Sequence, residues 1–157
     1  IGGSCHQTRW CRVTIIGIDP DMHASGVAVV VGKDIRQLNS VKLPELVKFI
    51  SAIGQPDQVI IKLENPEANK GLFASRANKN KAVSIAIATS VGKVMASTHH
   101  IKELLEAAGY SVKLITPLKG ELKQKAKTDA AYFNKLTGWQ KKSNADQRDA
   151  ALIALWG

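Results

Sequence analysis

The chain ends in an apolar helix that carries an acid on its inward side. In "SNADQRDAALIALWG", Asp149, Leu152, Ile153 and Trp156 recur at helical spacing, so the carboxylate falls on the stripe that packs against a core. Burying a carboxylate is costly unless it is paired or holds a metal ion. Asp146 stands three residues earlier, at the start of the same helix, and faces the same way. Whatever fold this chain adopts must bring compensating charge to that point.

The rest of the chain offers a topology that does so. "RVTIIGID" (Arg12 to Asp19) is short and β-branched and predicts a strand. "GVAVVVG" (Gly26 to Gly32) and "IRQLNSVKL" predict two more, completing an antiparallel meander of three. "PELVKFISAIG" opens on Pro44 and closes on Gly54, as a short helix does. "PDQVIIKLEN" (Pro56 to Asn65) predicts a fourth strand, and Asn65 to Ala77 a loop. A long helix is expected from about Lys79 to Ala108, bending near Gly92 and closed by Gly109. "YSVKLIT" predicts a fifth strand, "PLKGELKQKA" and "TDAAYFNKLTG" two short helical pieces, and the last helix begins after Ser143. The class is α/β: a mixed five-stranded sheet, three strands antiparallel and two parallel, flanked by helices. This β-β-β-α-β-α-β-α-α-α order is that of the ribonuclease H-like fold.

In that order the acids converge. Val13, Ile15, Gly17 and Asp19 share one face of strand one; Ile60, Lys62 and Glu64 share one face of strand four. If the two strands are parallel neighbours, Asp19 and Glu64 end side by side, and the last helix adds Asp146 and Asp149. Each acid alone has an ordinary reading. Asp19 before Pro20 suits a turn, Glu64 a solvated strand end, and Asp146 an N-cap or a first-turn acid. Four together repel unless neutralised. Mg²⁺ takes carboxylate oxygens, water and phosphate, and two such ions about 4 Å apart can activate water and stabilise a leaving oxygen of a phosphodiester.

Composition narrows the partner. Lys and Arg number 22 against 13 acids, a net charge of +9, which points to a polyanion such as nucleic acid. Cys5 and Cys11 form no CxxC and no zinc spacing. No apolar run approaches the ~20 residues of a membrane span, so no membrane partner is expected. Residues 1–11 read as a flexible arm or a processed or expression remnant, and residues 12–157 as a single domain.

"IIGIDPDMHASGVAVV" resembles the first strand-turn-strand of RuvC-like Holliday junction resolvases, and "NADQRDAALIAL" resembles their C-terminal helix with its D-x-x-D pair. "VIIKLENPEANKG" is similar to the strand carrying their catalytic glutamate. The resemblance runs from about Arg12 to Gly157 and is nearer to phage and organelle-type members. It implies a homodimeric, Mg²⁺- or Mn²⁺-dependent endonuclease of DNA recombination and repair, with two ions on Asp19, Glu64, Asp146 and Asp149. Such enzymes nick two opposed strands of a four-way junction symmetrically and leave 5′-phosphate and 3′-hydroxyl ends. Three departures stand out. Lys62 lies two residues before Glu64, where the family has a small or apolar residue. Phe73 is the nearest match to an aromatic wedge, and Asp21 stands where Gly is common.

The resemblance also implies a phosphate-contacting lysine among Lys119, Lys123, Lys125 and Lys127. Lys119 and Lys123, at i and i+4, are expected on one helix face and in the catalytic site, stabilising charge on the phosphate. Arg76, Lys79 and Lys81 before the long helix, with Lys123, Lys125, Lys141, Lys142 and Arg148, are expected to grip DNA; a solvated surface role is the alternative for each. His99 and His100 are expected on the surface or at an interface, and His23 in a loop. The long helix is apolar on more than one face, which suits burial against the sheet and a second subunit.

Two further readings share the fold: a less selective nuclease for flaps, forks or RNA–DNA hybrids, and a junction-binding protein without catalysis. A sugar-kinase-type phosphotransferase needs a second domain for which 157 residues leave no room. Bacterial or phage-infected cytoplasm or an organelle matrix, and not secretion, is the expected location.

Overall fold

The computed structural model describes residues 12–66 and 81–157. In chain order the elements are β1 (Thr14–Asp19), β2 (Ser25–Val31), β3 (Asp34–Val41), α1 (Leu43–Ile53), β4 (Val59–Glu64), α2 (Lys81–Ala107), β5 (Val112–Ile115), α3 (Glu121–Thr128), α4 (Ala130–Thr137) and α5 (Ala145–Trp156). The sheet runs β3-β2-β1-β4-β5, with β1, β2 and β3 antiparallel and β4 and β5 parallel to β1. This is the expected mixed sheet of the ribonuclease H-like fold.

Alternation along the central strands divides the molecule into two layers. Ile16 and Ile18 of β1 and Val59, Ile61 and Leu63 of β4 point to one side, where they pack with Leu46 and Ile50 of α1 and Ile101 and Leu105 of α2. On the other side Ala28 of β2 meets Ala126, Phe133, Ala150, Ala151 and Leu152 from α3, α4 and α5. Gly17, Asp19, Lys62 and Glu64 belong to this second side.

Helix α5 is buried all round from Arg148 to Ala154, as a helix walled in by sheet and helices must be. It lies so close to the sheet that two glycines are required beneath it. A Cβ on Gly17 would come within 2.9 Å of the Cβ of Ala154 and collide with the carbonyl of Ala150; a Cβ on Gly26 would strike the backbone of Asp146. Its start is fixed by a capping box between Asn144 and Gln147. Asn144 Nδ2 and Gln147 Nε2 also donate to Ser40 Oγ on β3, at 3.1 and 3.3 Å. Its end is held by Lys62, whose Nζ donates to the carbonyls of Ala154 (3.1 Å) and Gly157 (2.8 Å). The departure at Lys62 therefore has a use: a cation caps the negative end of the helix. Burial, then the neighbouring Lys113, lowers the Lys62 pKa.

Two expectations are corrected. Trp156 is 54% exposed, because it stands at the last turn of α5. Lys119 is not on a helix face with Lys123: α3 begins at Glu121, after Gly120 takes a left-handed φ of 116°. Of the two ordinary readings of Asp146, the structure has the first-turn acid, and the N-cap is Asn144. Asp21 causes no distortion: its carboxylate accepts from His23 N at 2.8 Å, and no described residue other than glycine has a positive φ.

Candidate metal centre

Three elements deliver three acids to one point. Ile18 pairs with Leu63 across the parallel β1–β4 ladder, so Asp19 and Glu64 close the two strands side by side. Helix α5, pressed onto Gly17 and Gly26, lowers Asp149 onto them from above. Asp19, Glu64 and Asp149 each offer an oxygen within 4.8 Å of the others. Asp146, one turn earlier, is exposed at the rim and outside this triad, although its charge still reaches Asp19.

The electrostatics follow from burial and crowding. The Asp19 pKa is pushed up to about 8, first by desolvation and then by Asp149, with Glu64 and Asp146 adding to it and Lys127 opposing. Desolvation and Asp149 also raise Glu64, against Lys123, Lys127 and a hydrogen bond with Asp19. Two carboxyl groups held above their ordinary pKa at one point are poised to exchange a proton for a cation.

Asp149, 1% exposed, is met by two lysines of α3. Lys127 Nζ lies 2.6 Å from Oδ2. Lys123 Nζ lies 2.9 Å from Oδ1 but directs its hydrogen bond to Oδ2 at 3.1 Å. Both oxygens of this buried carboxylate thus face ammonium groups. Three converging carboxylates, two of them with raised pKa, are a donor set that fits a hard divalent cation. Hydrogen bonding to Asp149, with the charges of Asp149, Asp19 and Glu64, keeps the Lys127 pKa high despite its burial.

The remaining expected residues are distributed around this centre. Lys119 is exposed and lines an apolar hollow with Leu118, Leu122 and Trp156. Lys125 turns from the acids and sits 4.6 Å above the Tyr132 ring. Lys141 and Lys142 are exposed on the loop before α5, with Lys141 5.9 Å from the Trp139 ring. Arg148 is turned inward, 7% exposed, with its Nε and Nη1 bonded to the carbonyls of Lys127 and Ser143 rather than displayed on the surface. Arg76, Lys79, Phe73 and the side chain of Lys81 lie outside the described residues. His99 is exposed, 3.3 Å from Glu103. Lys127, named in the sequence only as one of four clustered lysines and passed over for Lys119 and Lys123, is the one that lies 2.6 Å from Asp149. Starting α3 at the helix-breaking Gly120 would have put Lys123 and Lys127, not Lys119 and Lys123, on one face.

No family model matches the chain, and no curated protein does. Solved structures that share its fold include two of one protein. One is Thermus thermophilus RuvC in complex with a Holliday junction substrate, 16% identical, with a TM-score of 0.56 over 91% of this chain and 90% of that one. The other is a further structure of Thermus thermophilus RuvC, 17% identical, with a TM-score of 0.53 over 91% and 92% of the two chains.

Proposed function

We propose that this protein is a divalent-metal-dependent endodeoxyribonuclease that resolves four-way DNA junctions by hydrolysing a phosphodiester on each of two opposed strands. The observation that carries the reading is the triad of Asp19, Glu64 and Asp149, whose oxygens lie within 4.8 Å of one another at the meeting point of two strand ends and a helix. The likeness in fold to a RuvC captured with a Holliday junction supports the choice of substrate. Asp19, Glu64 and Asp149 would hold Mg²⁺, or Mn²⁺ in its place, with Asp146 joining from the rim as the fourth acid. Bound there, two ions supply an activated water and charge stabilisation at the scissile phosphate.

The chain's own groups do the rest. Asp19 and Glu64, fixed at the ends of adjacent strands, set the separation of the acids. Lys123 and Lys127 place two cations beside the position of the phosphate and stabilise the charge that grows there. The net charge of +9, with Lys119, Lys125, Lys141 and Lys142 exposed around the centre, provides sequence-independent grip on the backbone. A second copy of the chain supplies the opposed cut. The apolar, exposed first half of α2, with Ile85 57% exposed, is the surface that supports such a dimer. Lys62 offers no ground for a binding protein without catalysis, since its ammonium is engaged with α5.

The test is cleavage of a labelled synthetic four-way junction beside linear duplex, flap and RNA–DNA hybrid controls, with Mg²⁺ or with EDTA. Paired symmetric nicks that need the metal and are confined to the junction are expected. Equal cutting of the controls would replace the reading by a general nuclease. Junction binding without cutting in any metal would replace it by a binding protein.

A further inference from the structure

Arg148 is buried, 7% exposed as a residue, yet no acid pairs with its guanidinium among the described residues. Its Nε donates to the carbonyl of Lys127 at 2.8 Å, and its Nη1 to the carbonyl and hydroxyl of Ser143 at 2.6 and 3.2 Å. A cation on a buried residue, met only by neutral oxygens, is a costly way to fill space, and an apolar side chain of similar size would pack there more cheaply. The contact it makes is specific. The Lys127 carbonyl is in the last turn of α3, where carbonyls have no partner inside their own helix. The same residue's ammonium lies 2.6 Å from Asp149. Arg148 and Asp149 are consecutive on α5, so one helix turn grips Lys127 at both ends, by its backbone through Arg148 and by its side chain through Asp149.

We propose that Arg148 is a positioning residue, which acts through Lys127 and holds that lysine's ammonium over the acid cluster. Lys123 reaches Asp149 without any such clamp on its backbone. The activity arm of the test below rests on the nuclease reading; the spectroscopic arm does not.

The first measurement is the ¹⁵N NMR signal of the lysine side-chain ammonium groups, with Lys127 identified by the signal lost in Lys127→Met. In the native protein a protected, hydrogen-bonded Lys127 signal is expected. In Arg148→Lys, where one ammonium cannot bridge the carbonyls of Lys127 and Ser143, and in Arg148→Met, that signal should exchange broaden while Lys123 keeps its own. Amide spectra establish that each variant is folded; should Arg148→Met fail to fold, Arg148→Lys carries the result. An unchanged Lys127 signal in either folded variant overturns the proposal.

The second measurement is junction cleavage. Arg148→Lys should lower turnover about tenfold, the size of effect typical of outer partners of a metal site, with KM unchanged. In a Lys127→Met background the same substitution should cost nothing more, because the two residues act as one. Additive losses would mean that Arg148 acts on the fold alone and would overturn the proposal. Absence of cleavage by the native protein would sink the nuclease reading and leave the ammonium signal to decide the role of Arg148.

Discussion

Asp19 sits where burial and three neighbouring acids all oppose ionisation, and Lys127 favours it. Its folded-state pKa of about 8 lies above the ordinary 3.8, so the folded protein holds the proton more tightly than the unfolded chain. The stability this group contributes is full below its unfolded pKa and is lost as pH rises through about 8. A cation that replaces the proton works against that loss. The rise in melting temperature on adding Mg²⁺ should therefore be small near pH 5 and grow towards pH 8; an equal rise at both would contradict the assignment. Asp149→Asn should reduce junction cleavage by more than about 100-fold, since it removes a ligand charge and the partner of both lysines. Full activity in that variant would place the chemistry elsewhere. Asp149 could be singled out in the sequence because an acid on an apolar stripe is anomalous. Lys127 could not, because its value depends on where α3 starts, and helix starts are the least legible part of a sequence.

At the scale of elements, the site depends on how closely α5 approaches the sheet. Gly17→Ala should destabilise the protein by roughly 1–3 kcal/mol or more, because an added methyl has no free space against α5. Denaturant titration measures this, and activity should fall with it as Asp149 is lifted from Asp19. A neutral result would mean that α5 sits higher than described. The elements and the meander were readable from alternation, Gly and Pro, whereas the parallel β1–β4 pair followed only from matching their order to the ribonuclease H-like fold. The depth of α5 was not. Nothing in "GID" says whether its glycine serves a turn or a helix passing overhead, and only the packed layers decide it. The same holds for Lys62, an oddity in the sequence until the end of α5 arrives beside it.

For the whole molecule, the relevant quantity is charge against a polyanion. With a net charge of +9, binding to junction DNA should weaken steeply with salt, by about 10³-fold or more between 50 and 200 mM if six or more phosphates are contacted. Filter binding or fluorescence anisotropy over that range checks it, and a flat response would argue against backbone contacts. The dimer belongs to this scale as well. Sedimentation should show a concentration-dependent doubling of mass that Ile85→Asp abolishes, while a monomer at all concentrations would remove the second cut from the mechanism. Among the described residues no helix is long and apolar enough to cross a membrane.

Lys62 and Glu64 stand two residues apart on one face of β4, about 7 Å from each other. One carries the foot of α5 and the other faces Asp149 near its head. The strand is thus both the workpiece and the jig: the helix that delivers one acid is referenced to the strand that delivers another. Breathing of the sheet as a whole moves both together and leaves the gap between them unchanged. Part of the alignment of this site is thus local, set over three residues of one strand, with the glycines under α5 fixing the rest.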